Sequence, residues 1–236
     1  MITKPASLLL VILLVLGMIA CKKENLHQSS QTQATGRDSL LLSDFPIKTG
    51  NSWTYSRVRH WSTIVSDTVT LTVGDSVPVS GGFRYLWIQT SSSGRPDTGY
   101  VSVQSNSIRF YADTNMALPC GVYSYYQPLT SVAADLIVFP CAKDSSWEQQ
   151  PHMYQNSSTC VATDSTITIN GASYTHVFLI SRTVNDLEGS YIAGGENTYI
   201  AKGIGVVRFD QSESAPQFIP ITHYDCSLSL LSFSLH

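Results

Sequence analysis

The sequence predicts a mainly β protein: an antiparallel meander, duplicated in two halves, that forms one continuous curved sheet, half-open barrel or sandwich. Three observations predict it. Apolar and hydroxyl side chains alternate over long stretches, the two halves of the chain resemble each other, and helical periodicity is almost absent. Few helices are expected beyond the amino-terminal segment.

Strand-like alternation is clearest in two places. Val69, Leu71 and Val73 fall on one face of a predicted strand and the threonines between them on the other, and 165–170 repeats the pattern. Gly-Asp follows the first run and Asn-Gly the second. These dipeptides predict hairpin turns, so both runs are interpreted as half-buried strands in hairpins.

Two further stretches depart from simple alternation. The closing run 227–235 alternates in two phases that slip at Leu230-Leu231, and a β-bulge in a last strand would produce that slip. The best helical candidate is the short segment 129–136.

Internal similarity predicts a repeated unit of about 70 residues, with copies at 45–111 and 139–210. Each copy would be a meander of four or five strands. Three pairs of short motifs occur in the same order in both copies: Phe45-Pro46 with Ser52-Trp53 and Phe139-Pro140 with Ser146-Trp147; Gly82 to Tyr85 and Gly171 to Tyr174; Tyr100 with Ile108-Arg109-Phe110 and Tyr199 with Val207-Arg208-Phe209.

The amino terminus predicts export. Lys4 precedes an unbroken apolar run of nine residues, Leu8 to Leu16. A helix that spans a membrane needs about twenty apolar residues, so this run is too short to be one and has the length of a signal-peptide core. Residues 1–20 are therefore assigned to a signal peptide. Residues 21–43 are assigned to a polar, flexible tether, and 44–236 to a single β domain.

Ala20-Cys21 resembles the bacterial lipobox. In lipoproteins with this signal the cysteine carries fatty acyl chains such as palmitate, and the peptide is cut before it. The resemblance implies a membrane anchor at Cys21, and two or three acyl chains hold a protein on a bilayer almost permanently. Lys22 is not the aspartate that implies inner-membrane retention, so the resemblance favours the outer membrane. The alternative is an ordinary secretory signal with a structural cysteine nearby.

Phe45-Pro-Ile-Lys-Thr-Gly-Asn-Ser-Trp-Thr-Tyr55 is similar to the opening motif of many uncharacterised Bacteroidetes lipoproteins, and Tyr199-Ile-Ala-Lys-Gly-Ile-Gly-Val-Val207 looks like their closing motif. The resemblance implies a cell-envelope β protein and brings no assigned chemistry. Both motifs have structural explanations. Trp53 and Tyr55 can be core anchors on one face of a strand, and Gly203 and Gly205 can form a turn or bulge with positive φ.

Four cysteines remain once Cys21 is assigned to lipid: Cys120, Cys141, Cys160 and Cys226. An even number in an exported protein predicts two disulfides with three possible connectivities. Of these we favour Cys120–Cys141 with Cys160–Cys226. None of the cysteines forms a CxxC pair or has a histidine at ligand spacing, so neither a metal site nor any other cofactor is expected.

Composition and motifs give no sign of catalysis. Only 13% of residues are charged and the net charge is −3, without the basic stripe of a nucleic-acid binder. The chain contains no nucleophile elbow, zinc-protease motif or phosphate-binding loop. His176 is interpreted as a structural, hydrogen-bonded histidine. Asp225 could orient the imidazole of nearby His223, but no serine can be singled out as a nucleophile.

Aromatic residues are the remaining signal for a ligand. Tyr123-Ser-Tyr125-Tyr126 lies between the two copies and could stack on a sugar ring or line an apolar pocket. Trp53, Tyr85 and Trp87 are the possible ligand-lining residues of the sheet. Core packing is the plainer explanation for all of them.

Three functions follow in order of preference. The first is a membrane-anchored envelope lipoprotein acting as a non-enzymatic binding or interaction module, with a lipid, a glycan or an envelope protein as ligand. The second is a carrier or chaperone that holds a lipid or the acyl chain of a lipoprotein in a concave sheet, which predicts an apolar cavity of about a few hundred Å³. The third is a hydrolase, which predicts a cleft where His176 or His223 meets an acid and a hydroxyl.

Overall fold

A computed structural model describes residues 38–60, 62–92, 94, 97–111, 120, 133–149, 154–186, 193–215 and 222–236. The strands of the first half, in chain order, are β1 (Ser39–Leu40), β2 (Ser52–His60), β3 (Ile64–Val79), β4 (Gly82–Ser91), β5 (Asp97–Gln104), β6 (Ser107–Tyr111) and β7 (Ala133–Val138). Those of the second half are β8 (Cys141–Ala142), β9 (Ser146–Gln149), β10 (Tyr154–Ile169), β11 (Ala172–Asp186), β12 (Ala193–Ala201), β13 (Gly205–Ala215) and β14 (Thr222–Ser234). One 3₁₀ turn, Leu42–Asp44, follows β1.

Twelve strands form one antiparallel sheet in the order β7-β6-β5-β4-β3-β2-β14-β13-β12-β11-β10-β9. The sheet curves until its two edge strands, β7 and β9, approach each other, so it is a nearly closed barrel. β1 and β8 form a separate two-stranded sheet. The predicted mainly β, antiparallel fold is therefore confirmed, in its barrel-like form.

Each predicted copy contributes five consecutive strands to the twelve-stranded sheet, β2 to β6 from the first and β9 to β13 from the second, and the second copy also contains the short strand β8. The strand after the second copy, β14, pairs with β2, which opens the first copy. The strand after the first copy, β7, lies near β9, which opens the second. The two junctions are thus equivalent in sequence order, but only β14 and β2 are joined by a hydrogen-bonded ladder.

The alternation predicted for β3 is present in its burial. Val69, Leu71 and Val73 are at most 2% exposed and face the interior. The bulge predicted in the last strand is confirmed, because the pairing of β14 with β2 shifts between Leu230 and Ser232. Leu230 is buried as a result, whereas Leu231 is turned outward and half exposed.

Two predictions about local structure are wrong. Gly74-Asp75 does not form a turn; β3 continues to Val79, and a register shift between Val73 and Ser76 accommodates the dipeptide as a bulge. Of the helical candidate 129–136, residues 133–136 lie in β7 instead. Pairing with β6 stabilises this short apolar segment as an edge strand, which its sequence alone does not indicate.

The fold extends into the segment assigned to the tether. Ser39 and Leu40 pair with β8 and are buried. The signal peptide, Cys21 and the tether up to residue 37 lie outside the described residues. Within the described ranges there is no helix with the length and apolar character needed to span a membrane.

Candidate functional site

The two ends of the barrel differ in their connections. We call loop end the end at which β2, β4, β6, β9, β11 and β13 finish, since antiparallel order brings these six ends together. The opposite end carries tight connections such as Ser80-Gly81, Asn170-Gly171 and 202–204. Asn170-Gly171 is the hairpin turn predicted from the sequence, with positive φ at both residues.

A row of polar residues crosses the inner face of the sheet near the loop end. Successive cross-strand partners run from β2 to β10 as Arg59, Cys226, Gln211, Glu196, Arg182 and Ser158. All of them except Arg59 are at most 9% exposed. Partners that lie directly opposite each other in a ladder share one face, so the polar row lines the interior.

Arg57, one inward position below Arg59, holds a buried ion pair with Asp67 of β3. Arg57 Nε donates to Asp67 Oδ1 at 2.7 Å and Nη2 donates to Oδ2 at 2.5 Å, in the two-pronged geometry that suits a carboxylate. The Ser91 hydroxyl donates to the same Oδ2 at 2.8 Å. The side chains of Arg57 and Asp67 are only 6% and 2% exposed.

Arg182 connects the polar row to the edge of the barrel. Its Nη1 donates to Glu196 Oε2 at 3.3 Å and its Nε donates to Ser158 Oγ at 3.1 Å. Its Nη2 donates to the carbonyl of Leu136, on edge strand β7, at 3.4 Å. One guanidinium therefore links β10, β11 and β12 to the strand at the other edge of the sheet.

Arg59 is the most accessible charged group of this region. Its side chain is 36% exposed, and its Nη2 lies 3.6 Å from Asp67 Oδ2. Its Nε is buried and has no hydrogen-bond partner within the described part of the chain. Arg57 and Arg182 thus have carboxylate partners in Asp67 and Glu196, whereas Arg59 lies farther from Asp67 and is partly open to solvent.

An apolar layer fills the barrel below these charges. Trp53 stacks on Trp87 with ring centroids 5.9 Å apart, and Trp53 Nε1 donates to the carbonyl of Ile204 at 2.6 Å. The Tyr55 hydroxyl donates to the carbonyl of Val206 at 2.8 Å, and burial raises the pKa of this phenol, which keeps it protonated. Trp53 and Tyr55, both 2% exposed, are the core anchors that the sequence predicts.

Trp53 and Trp87 line a small apolar cavity, and Tyr85, the third predicted lining residue, is not among its walls. The cavity measures about 10 Å³, room for about one water molecule. Its walls are Phe45, Trp53, Tyr55, Leu71, Trp87, Leu136, Val206 and Leu228. Aromatic side chains fill the space between Trp53 and Trp87, so this cavity is far smaller than the one that the carrier interpretation predicts.

His176 lies on the surface and not in a cleft. His176 hydrogen bonds to Asp164, but the two side chains are 64% and 49% exposed on the surface. Among the described contacts, no serine or threonine hydroxyl joins this pair. The side chain of His223 and the tyrosine cluster 123–126 lie outside the described residues.

The predicted disulfide connectivity is wrong. Cys120 is bonded to Cys226, 106 positions away, and not to Cys141. β14 brings Cys226 into the polar row, and the Tyr224 hydroxyl of the same strand donates to the carbonyl of Cys120 at 2.5 Å. Cys141 and Cys160 are both buried free thiols.

The turn predicted at Gly203 and Gly205 is confirmed by φ values of 75° and 100°.

The interior charges are the residues that sequence reasoning missed. A signal was present, because Arg57 and Arg59 continue the inward phase of Trp53 and Tyr55, and Arg182 continues that of Phe178 and Ile180. Charged residues in the buried phase of a strand are uncommon and indicate either pairing or function.

No family model and no curated protein matches this chain. Two solved structures share some of its shape. One is a Bacteroides fragilis protein described as exported and as having a YmcC-like fold, with TM-score 0.44, 11% identity, and coverage of 80% of this chain and 98% of the other. The second is a Parabacteroides distasonis protein described as a lipoprotein, with TM-score 0.39, 11% identity, and coverage of 80% and 97%. Structural similarity this low assigns neither a family nor a function to the chain.

Proposed function

We propose that this protein is a lipid-anchored envelope lipoprotein that acts as a non-enzymatic binding module, and that its ligand presents an anionic group to the loop end of the barrel. The observation that carries the proposal is the group of buried arginines and acids inside that end. The anchor at Cys21, the envelope location and the preference for the outer membrane rest on the sequence.

Stability alone does not account for these charges. Replacing a buried ion pair by apolar residues of similar volume is often neutral or stabilising, because desolvation offsets most of the attraction between the charges. The lower barrel is filled by apolar residues such as Trp53, Leu71 and Trp87. Where a protein interior that is otherwise apolar contains charged residues in one place, that place is commonly a functional site.

Arg59 is the first contact in this proposal. It is the most exposed of the three arginines, and its buried Nε is a donor without a partner among the described residues. A carboxylate or phosphate at the loop end would pair with the exposed part of the Arg59 guanidinium. Arg57 and Asp67 hold the neighbouring wall in place through their two-pronged contact.

The other two functions have less support. Between Trp53 and Trp87, the residues predicted to line the cavity of a carrier, there is space for about 10 Å³ only. One feature favours it, since an apolar layer beneath a charged layer matches a molecule with an acyl chain and a polar head. For a hydrolase, the His176–Asp164 pair is exposed and has no hydroxyl beside it among the described contacts.

The anchor is tested by metabolic labelling of the full chain with a palmitate analogue in a Gram-negative host. We expect label on the chain and a membrane location, both lost when Cys21→Ala blocks acylation. A wild-type chain that is exported and processed but carries no label would contradict the lipid anchor.

The binding function is tested by native mass spectrometry of a Cys21→Ser chain, exported by a cleavable secretory signal and purified from a periplasm without detergent. We expect a bound small molecule that is lost in Arg59→Ala and kept in Arg208→Ala. Arg208 is a suitable control because its 43% exposed side chain lies on the outer face of β13. A bound molecule that survives Arg59→Ala would contradict the loop-end site. A bare wild-type chain would contradict a small-molecule ligand and leave an envelope protein as the partner.

A further inference from the structure

We propose that Cys141 and Cys160 form a second disulfide, which fastens β8 and the turn after it to β10 at the edge where the barrel stops short of closure. Cys141 is the first residue of β8, and Cys160 lies within β10. The proposal concerns the covalent state of the barrel and is independent of the ligand.

Cys141 and Cys160 lie in the interior where β8 contacts β10, and both residues are 0% exposed. The turn after β8 is fastened to Cys160, since Asp144 N donates to the carbonyl of Cys160 at 2.8 Å and Cys160 N donates to the carbonyl of Ser145 at 2.9 Å. A disulfide requires its two cysteines on neighbouring backbones, and the contact of β8 with β10 meets that requirement.

Other uses of the pair have less support. Two thiolates are too few ligands for zinc, and the described residues contain no group of three or more histidine, cysteine or acidic residues that could hold a metal. A catalytic or sensing cysteine needs access to solvent, which neither residue has. A structural bond made during export remains, and Cys120–Cys226 shows that this chain forms such bonds.

The bond can form by thiol–disulfide exchange before the edge of the barrel is packed. The exchange begins with the Cys160 thiolate. That thiolate attacks a sulfur of an external disulfide, such as an oxidised envelope oxidoreductase, and releases one thiolate. The Cys141 thiolate then displaces the second, giving up its proton to solvent. The two electrons lost by the cysteines reduce the external disulfide to two thiols.

The position of the proposed bond, beside the edge strands of the barrel, determines which elements it would hold together. β8 belongs to the short connection between the edge strands β7 and β9, and it also pairs with β1. The hydrogen bond from Arg182 to Leu136 is the polar contact that links β7 to β11 near the same opening. A covalent bond from β8 to β10 would hold the connection against the second half of the barrel even when β7 and β9 separate.

The test is disulfide mapping of the full chain after export to an oxidising periplasm. The protein is unfolded in guanidinium with iodoacetamide and without reductant, then digested with trypsin and chymotrypsin. Trypsin cuts after Lys143, between Cys141 and Cys160, and chymotrypsin cuts at Tyr123 to Tyr126, between Cys120 and Cys141. We expect a cross-linked peptide joining Cys141 to Cys160 and no alkylation of either. Alkylated Cys141 and Cys160 beside an intact Cys120–Cys226 bond would overturn the proposal.

Two sets of variants serve as controls. In Cys160→Ala, Cys141 should become the alkylated residue while Cys120–Cys226 persists. In Cys120→Ala/Cys226→Ala, only the proposed bond remains, so a reductant should lower the guanidinium midpoint of unfolding. An unchanged midpoint there would also count against the bond. If that double variant does not fold, the peptide map of the wild-type chain decides alone.

Discussion

Replacing Asp67 by asparagine is expected to lower the free energy of unfolding by about 3–5 kcal/mol. The change keeps the shape of the side chain but removes the only carboxylate that Arg57 contacts through both Nε and Nη2 in the described contacts. Arg57 would then be buried opposite a neutral amide in place of a carboxylate, and Ser91 would lose its carboxylate acceptor at 2.8 Å. Guanidinium unfolding followed by tryptophan fluorescence measures the difference.

The matched control is Asp210→Asn, which removes the carboxylate from the ion pair with Arg208 Nε at 2.8 Å. These side chains are 28% and 43% exposed, so the expected loss is at most about 1 kcal/mol. The double variant Arg57→Met/Asp67→Leu should recover most of the stability, because neither member of the pair is then buried without the other. Equal losses in Asp67→Asn and Asp210→Asn would contradict the buried pair.

Replacing Trp53 by alanine is expected to cost about 3–5 kcal/mol of stability, the usual range for a large aromatic residue removed from a core. Trp53 is 2% exposed and stacks on Trp87. It also hydrogen bonds to the carbonyl of Ile204, in the turn between β12 and β13, and so ties the first half of the barrel to the second. The same unfolding measurement tests this.

Two controls separate packing from hydrogen bonding at Trp53. Trp53→Phe keeps an aromatic ring but leaves the Ile204 carbonyl without its donor, so an intermediate loss of about 1–3 kcal/mol is expected. Phe83→Ala removes an aromatic ring that is half exposed, and should cost about 1 kcal/mol or less. A Trp53→Ala loss no larger than that of Phe83→Ala would show that Trp53 is not a core anchor.

Local pattern was sufficient for the strands and several of their details. Alternation has a period of two, so the inward phase of Val69, Leu71 and Val73, and the slip at Leu230-Leu231, can be derived from neighbouring residues. Gly74-Asp75 was wrongly predicted to be a hairpin turn, because turns and bulges favour the same residue types. Only the continued pairing of β3 with β4 on both sides distinguishes the two.

The candidate site could be predicted only in part. Trp53 and Trp87 line a cavity of about 10 Å³ and Tyr85 is absent from its walls, and the ligand-lining role of all three stays a prediction. The volume of that cavity depends on how side chains from several strands interdigitate, which no single segment contains. The charged interior was missed because Arg57 and Arg182 find their acids on other strands, and pairing between strands is not visible in either strand alone.

The sequence by itself determined the β architecture, the phase of the strands, the export signal as an expectation, and an even set of four cysteines beyond Cys21. Each depends on residues close together in the chain or on simple counting. Tertiary structure alone decided that the sheet curves into a nearly closed barrel, that Cys120 bonds to Cys226, and that arginines lie inside the loop end. These features join residues far apart in the chain, and strand order sets those distances because it determines which inward faces meet.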